Sequence, residues 1–350
     1  MRWLKLIAYF LVAFSSIPAL AQDLPSAELK VVGGLSTRPA FKDVEVPFWT
    51  KTIPSDSKGQ ISADINAFDQ MGLKGPELFK LLKQGVIEFG VVPFSYSIKE
   101  YPVFEAMELA GMATDMKSIR SQIKAYTPVI SKVIALNFQS KLFGVTSYAP
   151  QYLFCNYPIQ NLQSLRGKKV RTVTRSQSEL IEALGAKSTS IAFNDVSAAF
   201  KNKSISCAIG SSMSAHQAKW YASATHIYAL PLGWNLEAIA VNQKAWDQLD
   251  SSVQSFLSTK VDSLIESLWK FSAQQAQLGL DCNTGNKACT LGLKGKMVLV
   301  KPSQDDIAYA KKLSVQKVLP KWASRCSGQC VTDFNQTIGK SLKITAKKQQ

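Results

Sequence analysis

Between Leu165 and Ser212 the polar and apolar positions first alternate, then recur at helical steps, then close in a short apolar run. A turn at Gly167 opens into residues 169–173 (Lys-Val-Arg-Thr-Val), an amphipathic stretch follows, and the chain returns at 205–209. That order predicts a strand–helix–strand–helix–strand winding. A parallel sheet wound in this way lines up the carboxyl ends of its strands along one edge, where open α/β sheets bind ligands. The chain begins with a similar winding. Residues 29–35 form a strand that breaks at Gly33 and Gly34, and residues 61–68 alternate as a second. Pro76 starts a helix through Leu78, Leu81, Leu82 and Val86, and residues 89–96 supply a third strand. Two such windings facing one another enclose a cleft.

Between them, Ile119, Ile123, Tyr126, Val129, Val133 and Ile134 recur at helical spacing within 107–137, and strands follow at 142–148 and 152–155. The chain is expected to cross between lobes at 149–151 and again near 239–242, which inserts the second lobe into the first. Residues 243–280 carry one amphipathic pattern (Trp246, Leu249, Val253, Phe256, Leu257, Val261, Leu264, Ile265, Leu268, Phe271) without an internal Gly or Pro. A helix of that length measures roughly 55 Å, enough to run behind both lobes. A strand at 297–301, a helix over 304–322 and a lysine-rich tail complete the pattern. The expected fold class is α/β with two lobes, hinge strands and a spanning helix. Residues 22–146 and 236–280 make up lobe I with that helix, 147–235 lobe II, and 281–350 a C-terminal segment packed on the lobes.

Residues 1–21 read as a secretory signal, with Arg2 and Lys5 ahead of an apolar run and Ala19-Leu20-Ala21 at the cleavage position. Ser15, Ser16 and Pro18 interrupt a run already short for a membrane span, and no later segment reaches about 18 uninterrupted apolar residues. The mature chain is expected to be soluble and exported. A mature chain of roughly 330 residues exceeds what one core serves, which again favours two lobes. The 41 Lys and Arg against 25 Asp and Glu give +16, or +14 without Arg2 and Lys5 (39 − 25). Such a field draws anions. Apart from a cluster at 166–175 and the tail 340–348 the basic residues are scattered, and no nucleic-acid motif accompanies them.

Six cysteines suit an oxidising compartment. Cys282 with Cys289, and Cys326 with Cys330, are spaced for local disulfides, whereas Cys155 and Cys207 either pair or stay as buried thiols. His216 and His226 lie far from the cysteines in sequence, which argues against zinc.

Catalytic signals are sparse. Neither histidine has a neighbouring Ser, Cys or Asp in a recognisable nucleophile setting, and there is no GxSxG, HExxH or glycine-rich phosphate loop. Glu179, on a helix rich in core leucines, and Asp195, at a helix start, read as structural. Binding candidates are better placed, on loops at predicted strand ends: Arg38 after Ser36 and Thr37, Met71 beside Gln70, Ser95 and Tyr96, Gln151, Arg171, Phe193, Ser211 and Ser212, and Trp234 with Asn235. A ligand carboxylate wants one guanidinium that gives two parallel hydrogen bonds, a few neutral donors and aromatic walls that exclude water. Arg171 is the candidate clamp. The sequence leaves open the alternative of a surface arginine in the cluster Arg166, Lys168, Lys169 and Arg175.

With those residues the chain resembles the solute-binding proteins of TRAP (tripartite ATP-independent periplasmic) transporters, of the C4-dicarboxylate-binding type. The resemblance covers nearly all of the chain after residue 21. It is strongest at residues 165–171, at Leu184-Gly185-Ala186, at residues 191–196 and at Val241-Asn242. It implies two α/β lobes joined by hinge strands, a carboxylate-binding role for Arg171, a pocket-lining role for Phe193, no cofactor, and a membrane permease as partner. Gln151 stands where some relatives carry another arginine, and Gly210 and Ser211 near an asparagine of theirs, so the ligand's second polar end differs or is small. The expected function is a receptor, not an enzyme, for a small organic acid. A lyase or dehydratase on the same scaffold, and an exported polyanion-binding protein, are the alternatives.

Overall fold

The computed structural model describes residues 24–348; the expected signal sequence lies outside them. In chain order the strands are β1 (Ala27–Gly33), β2 (Ile61–Ala67), β3 (Phe89–Pro93), β4 (Ser140–Ser147), β5 (Gln151–Cys155), β6 (Lys169–Thr172), β7 (Lys187–Ser190), β8 (Cys207–Ser211), β9 (His226–Tyr228), β10 (Leu236–Asn242) and β11 (Val298–Val300). They form two sheets, ordered β2-β1-β3-β10-β4 and β11-β9-β5-β8-β6-β7. In the first, β1 pairs in parallel with β2 and β3, and β10 runs antiparallel to β3 and β4. In the second, β6 pairs in parallel with β7 and β8, and β5 runs antiparallel to β8 and β9. The inner strands β3, β5, β8 and β10 are buried along their whole length, as expected where helices cover both faces of a sheet. The outermost strands β2 and β7 keep exposed positions.

The register decides what faces what. β4 ends at Ser147, level with Leu236 at the start of β10, and Glu237 is level with Pro93 at the end of β3. The chain therefore leaves the first sheet at the edge where β1, β2 and β3 present their carboxyl ends. It enters the second sheet at Gln151, directly opposite Ser211 at the carboxyl end of β8. The two carboxyl edges consequently meet across the hinge. The crossing segments bond to each other as well: Tyr148 N–H donates to Asn235 O (3.0 Å), Gln151 N–H to Gly233 O (2.9 Å) and Leu232 N–H to Gln151 O (2.8 Å). Residues 239–242, where the second crossing was expected, lie inside β10, so that crossing comes earlier, at 229–235. The apolar pattern continues through both segments, and only the pairing of β10 with β3 and β4 separates them.

The long amphipathic pattern is also interrupted once. A short helix, Gln243–Asp247, precedes the spanning helix Ser251–Thr284, because the Asp250 carboxylate accepts from Ser252 N–H (2.8 Å) and starts a new helix there. At 1.5 Å per residue the 34-residue helix is about 51 Å long. Its first half buries Val253, Leu257, Val261, Leu264 and Leu268 against the first sheet. Its second half meets the second lobe so closely that a Cβ on Gly279 would come within 2.3 Å of Met213 N. Two hydrogen bonds hold that contact, Ser212 Oγ to Ala276 O (2.6 Å) and Asn283 Nδ2 to Ser212 O (2.8 Å).

The C-terminal helices Gln304–Leu313 and Leu319–Arg325 bury Ala310, Leu313, Leu319 and Trp322 in a core that includes side chains from both sheets. All six cysteines are paired, Cys155 with its cross-strand neighbour Cys207, Cys282 with Cys289, and Cys326 with Cys330.

Candidate functional site

β6 lies between β7 and β8, and its third residue is Arg171. The side chain is only 6% exposed. Nε donates to Ile191 O (2.9 Å), just past β7, and Nη1 to Ile209 O (2.8 Å) in β8, so a neighbour on each side holds the guanidinium in place. Both partners are neutral. Among the described residues no carboxylate comes within ion-pair distance of Arg171, and burial alone pulls its pKa down to about 10. A buried cation without a counter-charge is costly, which leaves this guanidinium electrostatically complementary to an anion.

Around it the second lobe supplies a wall. Phe193 is 38% exposed and rests on the buried ring of Trp220 at 5.6 Å. Trp220 in turn packs on Gly210, where a Cβ would approach within 2.6 Å of the indole. Val173, just past β6, is exposed. Thr174 then caps the helix Arg175–Ala183: its Oγ1 accepts from Gln177 N–H, and Gln177 Oε1 accepts from Val173 N–H (2.9 Å). The Gln177 Nε2 group is buried without an acceptor, against Gly233 of the hinge. Gln177 was not among the sequence candidates, although Thr-x-x-Gln is a legible capping box.

On the first lobe, Asp69 accepts from Ser36 N–H (2.8 Å) and Ser36 Oγ (2.6 Å), tying the loop after β2 to the loop after β1. That loop presents Met71 to solvent, and beyond β3 Tyr96 stands partly exposed, edge-on to Phe68. Arg38 is not free. It pairs with Glu237 and stacks over the Tyr148 ring at 3.9 Å. Burial is the largest single influence and lowers its pKa, but the charge and hydrogen bond of Glu237 together with Tyr148 and Glu45 outweigh it, and the net shift is upward. Beside it Glu45 is pushed up to about 7 by burial, against the opposing Gly34 N–H (2.9 Å) and with some help from Glu237. Arg38, Glu45, Glu237, Thr146, Tyr148 and Ser211 line a cavity of about 30 Å³ beneath the hinge.

The remaining candidates lie on or beside the crossing segments. Trp234 is 2% exposed; a buried indole N–H needs an acceptor, and this one donates to Ala113 O (3.0 Å). Gln151 is buried and its Nε2 donates to Ala149 O (2.9 Å). Asn235 turns the crossing segment with φ +51°. Ser211 caps the helix Ser212–Gln217 by accepting from Ser214 N–H. Glu179, read as structural, pairs with Arg325. At the mouth, Ser95, Ile98 and Lys99 of the first lobe face Val173, Thr174 and Arg175 of the second across a hollow of about 590 Å³.

Among the described residues no helix is long and apolar enough to cross a membrane. Residues 36–281 match the family model described as bacterial extracellular solute-binding protein, family 7. No curated protein sequence matches. Among solved structures, a TRAP periplasmic solute-binding protein from Ochrobactrum anthropi, with its C-terminus in the ligand pocket, is similar with a TM-score of 0.77 at 15% identity, over 91% of this chain and 97% of that one. One from Rhodobacter sphaeroides, apo and open, reaches 0.76 at 14% identity over 88% and 98%. DctP6 of Bordetella pertussis, an extracytoplasmic solute receptor binding pyroglutamic acid, reaches 0.70 at 18% identity over 89% and 99%.

Proposed function

Since this chain belongs to the bacterial extracellular solute-binding proteins of family 7, we propose that it is the periplasmic receptor of a TRAP transporter, closing its lobes on a small organic acid. Arg171 clamps the acid's carboxylate, with Phe193 as a wall, and the closed form hands the ligand to a membrane permease. The observation that carries this reading is the buried guanidinium of Arg171, fixed by two backbone carbonyls and lacking any acidic partner among the described residues, at an edge that faces the other lobe. The solved receptors with bound pyroglutamic acid and β-D-galacturonate, both acids, support the ligand class.

Closure on a carboxylate works through desolvation. Bringing Met71 and Tyr96 towards Phe193 expels water from around the ion pair, which strengthens it. The paired crossing segments at 148–150 and 229–235 are the flexing element. Their mutual hydrogen bonds let both bend as one ribbon.

Thermal-shift screening with small organic acids tests the proposal. A ligand at a hundredfold excess over its Kd should stabilise the protein by about 2.7 kcal/mol. The shift should vanish in Arg171→Ala; a ligand bound equally well by that variant would overturn the assignment.

A further inference from the structure

We infer that the acid taken by this cleft is a monocarboxylate with an apolar or aromatic body, and not a dicarboxylate; the inference rests on the receptor reading above.

The first argument is the balance of charge at the two facing edges. Among the described residues, Arg171 is the buried cation there without an acidic partner. Arg38, the buried cation on the opposite lobe, is already paired with Glu237 and has a second buried glutamate, Glu45, beside it. Arg325, at the mouth, is held by Glu105 and Glu179. Lys99 and Arg175 are exposed and hydrated, and Arg175 leans towards Glu179 at 3.8 Å. A second carboxylate entering the closed cleft would shed its water and meet either a neutralised arginine or the excess acid around Glu45 and Glu237. A desolvated charge without a partner is strongly disfavoured.

The second argument is independent and concerns apolar surface. Ten large hydrophobic side chains are exposed among the described residues. Four of them, Met71 (49%), Tyr96 (38%), Val173 (42%) and Phe193 (38%), lie in the loops that follow the carboxyl ends of β2, β3, β6 and β7. Apolar side chains gathered at a binding edge mark what the partner must cover. Two rings and a thioether suit an aromatic or branched aliphatic body, since rings stack in offset or edge-on geometry and methionine fills irregular gaps.

Calorimetric titration of the mature chain with phenylacetate, 4-methylpentanoate and succinate tests this. At least one of the two monocarboxylates should bind tenfold or more tightly than succinate, and lose a hundredfold or more in Arg171→Ala. Phe193→Ala should weaken the monocarboxylate about tenfold while leaving the melting temperature of the free protein in place. Glu237→Gln, which frees Arg38, should raise succinate affinity about tenfold and change that of the monocarboxylate by less than threefold. Succinate binding as tightly as the monocarboxylates, and dependent on Arg171, would overturn the inference and leave the receptor reading standing. Acid binding indifferent to Arg171→Ala would overturn both. Failure of all three acids to bind would overturn the inference as stated.

Discussion

Arg171 and Arg325 both sit near the seam where the two lobes meet, and their surroundings are opposite. The Arg325 guanidinium reaches Glu105 (2.9 Å) on the segment Pro102–Glu108 and Glu179 on the helix Arg175–Ala183. Glu105 also accepts from Ser176 N–H (3.0 Å). That node ties a segment following the first winding, a helix of the second lobe and the C-terminal helix into one unit. Burial alone would lower the pKa of Arg325, but the two carboxylates more than reverse this, whereas Arg171 has nothing to reverse it. The difference teaches how to read a buried arginine. One whose charge is balanced inside the protein is a brace, and one met only by carbonyl dipoles is, under the reading proposed above, a socket for an anion.

The largest expected effect breaks the contrast at the socket. Arg171→Ala should cost the cognate acid on the order of 3 kcal/mol or more of binding, the scale for removing one partner of a buried charge pair. The melting temperature of the free protein should hold or rise, because an uncompensated buried charge is removed; calorimetry and thermal unfolding check the two halves. At the brace the outcome reverses. Arg325→Met should destabilise the fold by about 3 kcal/mol, since Glu105 and Glu179 are left buried and unpaired, with ligand affinity kept within severalfold. Adding Glu105→Gln and Glu179→Gln should recover most of that loss in a denaturant titration.

Acids without a full counter-charge sharpen the comparison next. Glu108, like Glu45, is pushed up to about 7, chiefly by burial and opposed by backbone N–H groups of Leu236 and Trp234. Both fold with a pKa above the unfolded value, so the folded state binds more protons. Stability is then fullest at low pH and falls as pH rises from about 4.5 through 7. Unfolding free energies at pH 5 and pH 8 should differ by about 2 kcal/mol per group, and Glu108→Gln should remove its share. The smallest effect concerns the wall: Phe193→Ala should cost about 1.4 kcal/mol of ligand affinity, the tenfold loss given above, and leave stability within about 0.5 kcal/mol, because the ring is already partly exposed.

The two-lobe α/β fold was legible because hydrophobic periodicity is a local signal. The windings, the spanning helix and the turn at Gly167 all follow from neighbours within a few positions. The capping box at Thr174 and Gln177 is equally local, but a cap signals where a helix starts and not what its side chains face. The second crossing was misplaced because β10 and the preceding hinge are both apolar; only pairing in the first sheet distinguishes them. Trp234 and Gln151 had the composition of ligand contacts, yet one found its acceptor in Ala113, more than a hundred residues away in the chain, and the other in Ala149.

From the sequence alone, then, came the elements, their winding and the short list of side chains at strand ends, because backbone propensity and amphipathic spacing act over a few residues. The tertiary structure alone decided which arginine is spent and which is available. Whether a guanidinium is neutralised depends on what folding brings within a few ångströms of it. Glu237 lies 199 residues from Arg38 and Glu179 lies 146 residues from Arg325, separations over which no local pattern carries information. Coulomb energy and desolvation act through space and not along the chain.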